Sequence, residues 1–363
     1  MTIEWLAGNR IRGTSAERTS TTGFNPVVGV TGGWKELDRT TLGSSANIID
    51  VSSLADKRYY MVLYDLQRSG SNNMQFNSLV GNTTIDATAN YSQRKSIDGG
   101  TDTTGEVSLS KVSNTAFDTN LHNVFSVGNI ANLSGKEKLF ITNVVDSNVD
   151  TASNAPKRSE IVSKWSNTSN PIDVIRADTT AGGRAFGADS EVVVLGWDPA
   201  DTHSTNFWTE LASVELGSAG ANIGSGTITA KKYLWIQTLI KPAAACNVKI
   251  TFNSDTGSNY VDRYSYNGGA DSTRTSQANM SLDLSGNNAL KFYNLFIVNN
   301  SANEKLIIGN SVDPTATGAG TAPDRAEHAA KWVNTSAQIT DIDFDSTSGN
   351  YAAGSILKVW GSN

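Results

Sequence analysis

Short segments in which apolar and polar residues alternate, separated by turn-forming residues, make up much of the chain. In residues 247–252, Val248, Ile250 and Phe252 alternate with polar residues. A period of two is typical of a strand with one buried face and one solvated face. Gly, Asn and Ser are frequent between such segments, as they are in tight turns. The pattern therefore predicts an antiparallel all-β protein.

Other predicted strands are apolar at consecutive positions, as in residues 59–64, 233–236 and 292–298. Because successive side chains of a strand point to opposite faces, such strands need cover on both faces. We expect one face to fill the core of a sandwich and the other to pack against a second domain or subunit.

The same pattern occurs twice in the chain. Trp34 and several residues after it recur from Trp208, 174 positions later, and segment 155–169 recurs as segment 322–336, 167 positions later. The small drift in offset indicates two copies of one fold that differ by short loop insertions and deletions. We predict an N-terminal arm (1–33), a first sandwich repeat (34–197), a linker (198–206) and a second sandwich repeat (207–363).

Each repeat is predicted to be an antiparallel, jelly-roll-like β-sandwich with one short helix, and an extended arm is predicted before the first repeat. The helix is expected where both copies read Ala-Pro-x-Arg-x-Glu-x-x-x-Lys-Trp. Proline suits a first helical turn. Glu160 precedes Lys164, and Glu327 precedes Lys331, by four positions, a spacing that favours pairing on a helix.

Residues kept in both copies are interpreted as anchors of the fold, because an enzyme rarely keeps a full active site in both halves. The arginines are expected to fix the start of each helix and the tryptophans to anchor the core. The predicted anchors are Trp34, Trp208, Pro156, Arg158, Glu160, Trp165, Pro323, Arg325, Glu327 and Trp332.

Composition and charge argue against several classes of function. Only 18% of the 363 residues are charged, and the net charge of -6 provides no basic stripe of the kind that nucleic-acid binding requires. No apolar stretch approaches the roughly 20 residues of a membrane-spanning helix. The N-terminus lacks the pattern of a secretory signal, so folding in a cytoplasm is expected. Cys246, the one cysteine, lies in an apolar run and is predicted to be buried.

No arrangement of residues predicts catalysis, a cofactor or a transition-metal site. His122, His203 and His328 are scattered and are expected at the surface or in capping positions. Three alternating aspartates, Asp341, Asp343 and Asp345, leave calcium binding as an alternative, although a solvated strand edge is favoured because the first repeat lacks them. We therefore predict a protein that is not an enzyme.

Aromatic residues in loops offer one route to binding. Asp255, Asn259, Tyr260 and Tyr264 form a candidate ligand or interface loop, and the other exposed-aromatic candidates are Trp5, Tyr91 and Tyr266. Stacking on sugar rings and burial at a subunit contact both remain open.

Part of this loop resembles a known class of protein. Phe252-Asn253-Ser254-Asp255-Thr256-Gly257-Ser258-Asn259-Tyr260 resembles a phrase found in virion structural proteins of tailed bacteriophages, particularly environmental ones. The first repeat departs from it, keeping only Phe76-Asn77-Ser78. Segments 7–18 and 353–361 also resemble such proteins. The resemblance implies a place in the virion, as a capsid decoration, head-fibre or tail-associated protein.

A virion role would give the arm a purpose. Such arms clasp neighbouring subunits through main-chain pairing, and the candidate contacts here are Trp5, Arg10, Arg12, Glu17 and Arg18. The expected partners are further copies of the chain, with a trimer as the preferred state, other virion proteins and, if the loops bind sugar, a host surface glycan. Neither nucleic acid nor a membrane is expected as a partner.

Other functions stay open. A double jelly-roll major capsid protein would have the same tandem sandwiches and a similar length. A carbohydrate-binding adhesin or lectin-like receptor-binding protein would use the aromatic loops. A polysaccharide depolymerase is the least favoured, because no carboxylate pair can be nominated from the sequence.

Overall fold

A computed structural model of the protein describes residues 4–6, 10–12, 33–70, 75–114, 123–179, 184–199, 201, 203, 205–282, 288–316 and 318–363. Within the predicted arm, the backbone of β1 (Glu4–Leu6) pairs with that of β2 (Arg10–Arg12) in an antiparallel hairpin, with Trp5 opposite Ile11. Arg10 and Arg12 therefore lie on β2. The candidate arm contacts Glu17 and Arg18, and also His122, lie outside the described residues.

The first repeat is an antiparallel β-sandwich. Its large sheet has eight strands in the order β3-β15-β5-β11-β12-β13-β8-β9, and its small sheet has the order β10-β6-β14-β4, with β7 beside β6. The strands are β3 (Lys35–Thr41), β4 (Ile48–Val51), β5 (Tyr59–Leu66), β6 (Asn77–Asn82), β7 (Thr84–Ile85), β8 (Tyr91–Ile97), β9 (Thr103–Leu109), β10 (Val112–Ser113), β11 (Val124–Ala131), β12 (Lys138–Asp146), β13 (Lys157–Trp165), β14 (Val174–Asp178) and β15 (Glu191–Trp197).

The second repeat has the same architecture. Its large sheet has the order β16-β27-β18-β23-β24-β25-β20-β21, which matches the first repeat strand by strand, and its small sheet has the order β17-β26-β19-β22. The strands are β16 (Thr209–Glu215), β17 (Asn222–Gly224), β18 (Tyr233–Ile240), β19 (Val248–Phe252), β20 (Tyr260–Tyr266), β21 (Ser272–Gln277), β22 (Met280–Ser281), β23 (Lys291–Val298), β24 (Lys305–Asp313), β25 (Asp324–Trp332), β26 (Ile342–Ser346) and β27 (Ile356–Ser362). The prediction of two all-β sandwiches is confirmed.

Three hydrophobic cores hold the layers together. One core fills each sandwich between its large and small sheets, and a third lies between the two large sheets. On β5, Tyr60 and Val62 belong to the first sandwich core, whereas Met61 and Leu63 belong to the core between the large sheets. The expectation that this strand is covered on both faces is therefore confirmed, and the second cover comes from the other repeat.

The predicted helices are wrong. Residues 157–165 and 324–332 form the strands β13 and β25, and no helix occurs among the described residues. Each segment is hydrogen-bonded to a neighbouring strand on both sides, and this tertiary pairing overrides a weak local helical preference. Pro156 and Pro323 directly precede these strands, a position that proline tolerates.

The strand geometry also corrects the predicted pairs with Lys164 and Lys331. Residues four apart lie roughly 13 Å apart along a strand. Lys164 instead forms an ion pair with Glu137 at 3.0 Å, and the Nζ of Lys331 donates to the carbonyl oxygen of Ser147 at 2.8 Å. Other predictions hold, since Cys246, Trp165 and Trp332 are buried. Within the described ranges, the chain has no helix of the length and hydrophobicity needed to cross a membrane.

Candidate functional site

The loop that contains Asp255 is a corner of the second sandwich. Asp255 Oδ2 accepts a hydrogen bond of 2.7 Å from the indole Nε1 of Trp332 and one of 2.9 Å from Asn259 Nδ2. The hydroxyl of Tyr260 donates to the carbonyl oxygens of Phe252 and Asp255. Burial would raise the pKa of Asp255, but the hydrogen bonds from Trp332 and its neighbours lower it overall, so the carboxylate stays charged.

The first repeat has the same corner. Asp86 Oδ2 accepts from Trp165 Nε1 at 2.8 Å and from Asn90 Nδ2 at 2.7 Å, and Tyr91 donates to backbone carbonyls. The counterpart of Asp255 to Tyr260 is thus Asp86 to Tyr91. The counterpart of Phe252 is Val80, whose backbone contacts the Tyr91 hydroxyl, and not Phe76 as expected from the sequence. The shared spacing, Asp-x-x-x-Asn-Tyr at an offset of 169, was the available signal.

This geometry corrects the reading of two aromatic residues as surface groups. The side chains of Tyr91 and Tyr260 are 2% and 1% exposed, so neither can stack on a sugar ring. Tyr264 and Tyr266 are half-buried on β20, and the Tyr266 hydroxyl donates to Asp324. The side chain of Trp5 is outside the described part of the chain.

The anchors Arg158, Glu160, Arg325 and Glu327 lie where the two large sheets face each other. They belong to a polar set that occurs once in each repeat. The set is Arg94, Asp102, Asn143, Arg158 and Glu160 in the first repeat, and Arg263, Asp271, Asn310, Arg325 and Glu327 in the second. Glu160 is paired with Asn143 across strands, and Glu327 with Asn310, so the register is the same in both copies.

On one side of this interface, which we call the closed side, residues of the polar set are buried and pair across the two repeats. Arg158 is 4% exposed, and its Nη2 lies 2.7 Å from Oδ1 of Asp271, which is contributed by the second repeat. Its Nη1 donates to Glu160 Oε1 at 2.5 Å. Arg263 donates from Nε to the carbonyl oxygen of Pro156 at 2.6 Å, which ties the second repeat to the residue before β13. These contacts join the repeats through buried, satisfied charges.

The electrostatics of the closed side follow from burial and pairing. Burial would lower the pKa of Arg158, but the hydrogen bond and charge of Asp271, with Glu160 and Glu327, raise it overall. Burial raises the pKa of Glu160, an effect that Arg158 partly offsets and Glu327 reinforces. Glu160 and Glu327 thus interact although they come from different repeats.

On the other side, which we call the open side, the equivalent residues Arg325 and Asp102 are exposed to solvent. The side chains of Arg325 and Asp102 are 59% and 49% exposed, and Asp102 lies 3.6 Å from Arg94. Between the sheets lies a cleft of about 330 Å³, lined by residues of both repeats that include Arg94, Asp102, Asn143, Glu160, Arg325 and Glu327. We call this the inter-sheet cleft. Sequence reasoning nominated three of these six residues, and it missed the others because they lie outside the most obvious duplicated segments.

The remaining candidate residues, Trp34, Trp208, Asp343 and Asp345, contact other parts of the fold. Trp34 and Trp208 pack against the core between the large sheets. Asp343 and Asp345 accept hydrogen bonds from Asn222 at 3.1 and 2.8 Å, and their strand β26 lies between β17 and β19, so it is not the strand edge that was predicted.

The structure also describes possible metal ligands and the surroundings of His203 and His328. No group of three or more His, Cys, Asp or Glu among the described residues is arranged to hold a metal ion. His328 is buried, contrary to the surface position predicted for it, because it lies on the central strand β25. His203 contacts the carbonyl oxygens of Gly33 and Thr205 and so has the expected capping position.

Comparisons with known proteins add little. No family model matches the chain, and no curated protein matches it. One similar solved structure is the mouse laminin alpha1 chain, domains LG4-5, with 11% identity over 92% of this chain and 90% of that chain, at a TM-score of 0.20. At that TM-score the likeness carries no argument about function.

Proposed function

We propose that this chain is a non-enzymatic structural protein of a bacteriophage particle, of the capsid-decoration, head-fibre or tail-associated type. In this proposal two jelly-roll-like sandwiches form a rigid body, residues 1–33 attach it to neighbouring subunits, and the chain is a homo-oligomer located in the virion. The sequence likeness of segments 7–18, 252–260 and 353–361 to virion proteins motivates it.

The observation that carries the proposal is the contact between Arg158 and Asp271. Residues kept in both repeats use their charges to join the two large sheets, and this is a role in architecture. The indole groups of Trp165 and Trp332 are likewise used within the fold, in hydrogen bonds to Asp86 and Asp255. A rigid body with this use of its duplicated residues suits a component of an assembly.

The rival functions have less support. Sugar binding loses two of its aromatic candidates, because Tyr91 and Tyr260 are buried. The double jelly-roll capsid alternative has no specific observation in its favour. The capsid alternative nevertheless gives a measurable outcome in the test below.

The test is to locate the chain in purified particles. Antibody labelling in electron micrographs should place it on the capsid surface, a head fibre or the tail, and protein quantification should give fewer copies than the main shell protein. Copies that equal the shell protein would favour the major capsid alternative. Absence from particles would refute the proposal.

A second experiment tests the arm. A chain without residues 1–33 should unfold at the same temperature as the full chain but should no longer join particles during assembly. The matched control is the full chain added under the same conditions. Equal incorporation of both chains would exclude a role of the arm in attachment.

A further inference from the structure

The two repeats bury different parts of equivalent faces. In the second repeat, Ile308 and Ala329 are paired across β24 and β25 and are 5% and 0% exposed, within the core between the large sheets. The equivalent pair of the first repeat, Ile141 and Val162, is paired in the same way across β12 and β13 but is 58% and 49% exposed.

Neighbouring residues extend this exposed area. Leu139 is 55% exposed, whereas its equivalent Leu306 is 1% exposed, and Val107 on β9 is 65% exposed. Ile141, Leu139 and Val162 also line one shallow groove, together with Val107. We call Val107, Leu139, Ile141 and Val162 the free face of repeat 1. Grouped apolar side chains of this kind are unusual on a surface that meets only water.

The surface that covers the buried pair also has an uncovered equivalent. Phe125 and Val145 are paired across β11 and β12 and belong to the same buried core as Ile308 and Ala329. Their equivalents in the second repeat, Phe292 and Val312, are paired across β23 and β24 but are 38% and 40% exposed. We call Phe292 and Val312 the free pair of repeat 2.

Each chain therefore buries one pair of these surfaces against each other. The two equivalent surfaces, the free face of repeat 1 and the free pair of repeat 2, stay uncovered. The contact that is made joins the Ile308–Ala329 surface of repeat 2 to the Phe125–Val145 surface of repeat 1. The free face continues directly from this interface along β12, since Val145 is buried and Ile141 and Leu139 on the same side of the strand are exposed.

We propose that the free face of repeat 1 binds the free pair of repeat 2 in a second copy of this chain. The contact inside the chain supplies the template, because it joins the same two kinds of surface. An interface between two different surfaces of identical chains is heterologous, and it forms a ring if the rotation closes. A ring of three would give the trimer expected from the sequence. The proposal concerns the self-association that is part of the proposed function.

The experiment uses two variants of the full chain, Ile141→Lys in the free face and Val312→Lys in the free pair. Sedimentation velocity at about 1 to 100 µM should show an oligomer for the natural chain, and each variant should associate about 100-fold more weakly or not at all, since a charge would be buried at the contact. Val162→Lys repeats the test at a second position. The matched control is Ile48→Lys. Ile48 is 40% exposed and lies on the small sheet of repeat 1, away from both surfaces, so this variant should leave association unchanged.

Mixing the two variants distinguishes the arrangements. Each variant keeps one intact surface, so an equimolar mixture should form a dimer through one natural contact although each variant alone is a monomer. A natural chain that stays monomeric over this range would overturn the proposal. Loss of association in Ile141→Lys alone, with Val312→Lys unaffected, would also overturn it, because the free face would then bind a copy of itself.

The outcomes are independent of the virion role. Thermal unfolding of each variant should match that of the natural chain, because the substituted side chains are exposed. A chain that associates through these surfaces but is absent from particles would retain this proposal and refute the proposed function. A chain that is present in particles but monomeric in solution, with no complementation, would retain the location in the virion and refute the self-association proposed here.

Discussion

Arg158 and Arg325 occupy equivalent positions in the two repeats, yet Arg158 is buried against Asp271 of the other repeat whereas Arg325 lies at the open mouth of the inter-sheet cleft. The same residue type on equivalent strands thus contributes to the fold in two different ways. The difference arises from how the large sheets meet.

Removal of these two side chains should have unequal effects. Arg158→Ala leaves Asp271 buried without its main partner and should lower the free energy of unfolding by about 3–5 kcal/mol. Arg325→Ala removes a side chain that is 59% exposed but leaves the buried Glu327 without its ion-pair partner, so the cost should be smaller, about 1–2 kcal/mol. Urea unfolding followed by tryptophan fluorescence measures both values. Equal losses would contradict the assignment of the closed side.

The corner aspartates should make stability depend on acid pH. Burial would raise the pKa of Asp86, but hydrogen bonds from Asn90, Thr88 and Trp165 lower it to about 2. A carboxyl whose pKa is lowered on folding stabilises the fold above its unfolded pKa of about 4, and this contribution is lost as the pH falls towards 2. Asp86→Asn should therefore flatten the decline of stability between pH 4 and pH 2, measured by urea unfolding across that range. An unchanged slope would exclude this role.

His328 should act in a nearby pH range by a different route. Burial, reinforced by the charge of Arg158, lowers its pKa to about 3, and its Nε2 lies 2.8 Å from Ser311 Oγ. The unfolded chain takes up a proton near pH 6.5 that the folded chain resists, so stability should fall as the pH drops from about 6.5 to 3.

The first repeat suggests the matched variant, because it has Ile161 and Val144 at the equivalent positions. The double substitution His328→Ile with Ser311→Val should keep the fold and remove this part of the pH dependence. Unfolding at pH 4 and pH 7 would measure it. The same loss of stability in the natural chain and the double variant between these values would count against a buried neutral histidine.

A carboxyl pair between the repeats, Glu304 with Asp150, should make the stability change with pH in the opposite direction. Burial, together with the neighbouring Asp150 of the first repeat, raises the pKa of Glu304 to about 7. The folded chain then holds a proton that the unfolded chain releases near pH 4.5, so the contribution is present below that pH and is lost as the pH rises through 7.

Glu304→Gln replaces the protonated acid by a neutral group of similar shape. We expect the variant to be more stable than the natural chain above pH 7 and to show little difference at pH 5, as measured by thermal unfolding at both values. Asp150→Asn is the companion variant and should also relieve the high-pH loss. Lower stability of Glu304→Gln at pH 8 would show that the ionised group is the one the fold requires.

Much of the architecture could be predicted from the sequence. Alternation at Val248, Ile250 and Phe252 indicated β19, and the consecutive apolar residues of 59–64 indicated a strand buried on both faces. These predictions succeeded because hydrophobic periodicity reports burial directly. The helix prediction failed at 157–165 because local signals, such as a leading proline and charged residues four apart, ignore the hydrogen bonds that neighbouring strands supply.

The site was harder to predict. Arg158 and Glu160 were recognised as duplicated, but their partner Asp271 lies more than 100 positions away and belongs to the other repeat. A search for repeats at an offset of 169, besides 174 and 167, would have found the pairs Arg94 with Arg263 and Asp102 with Asp271. The contrast between the closed and open sides could not be found in this way, since Arg158 and Arg325 are the same residue in the same motif.

The core between the large sheets has a consequence for either repeat produced on its own. Residues such as Leu63, Phe125 and Leu306 shield one another across the junction, so a separated repeat would expose its share of them to water. We therefore expect an isolated repeat to aggregate, although its own sandwich core is complete.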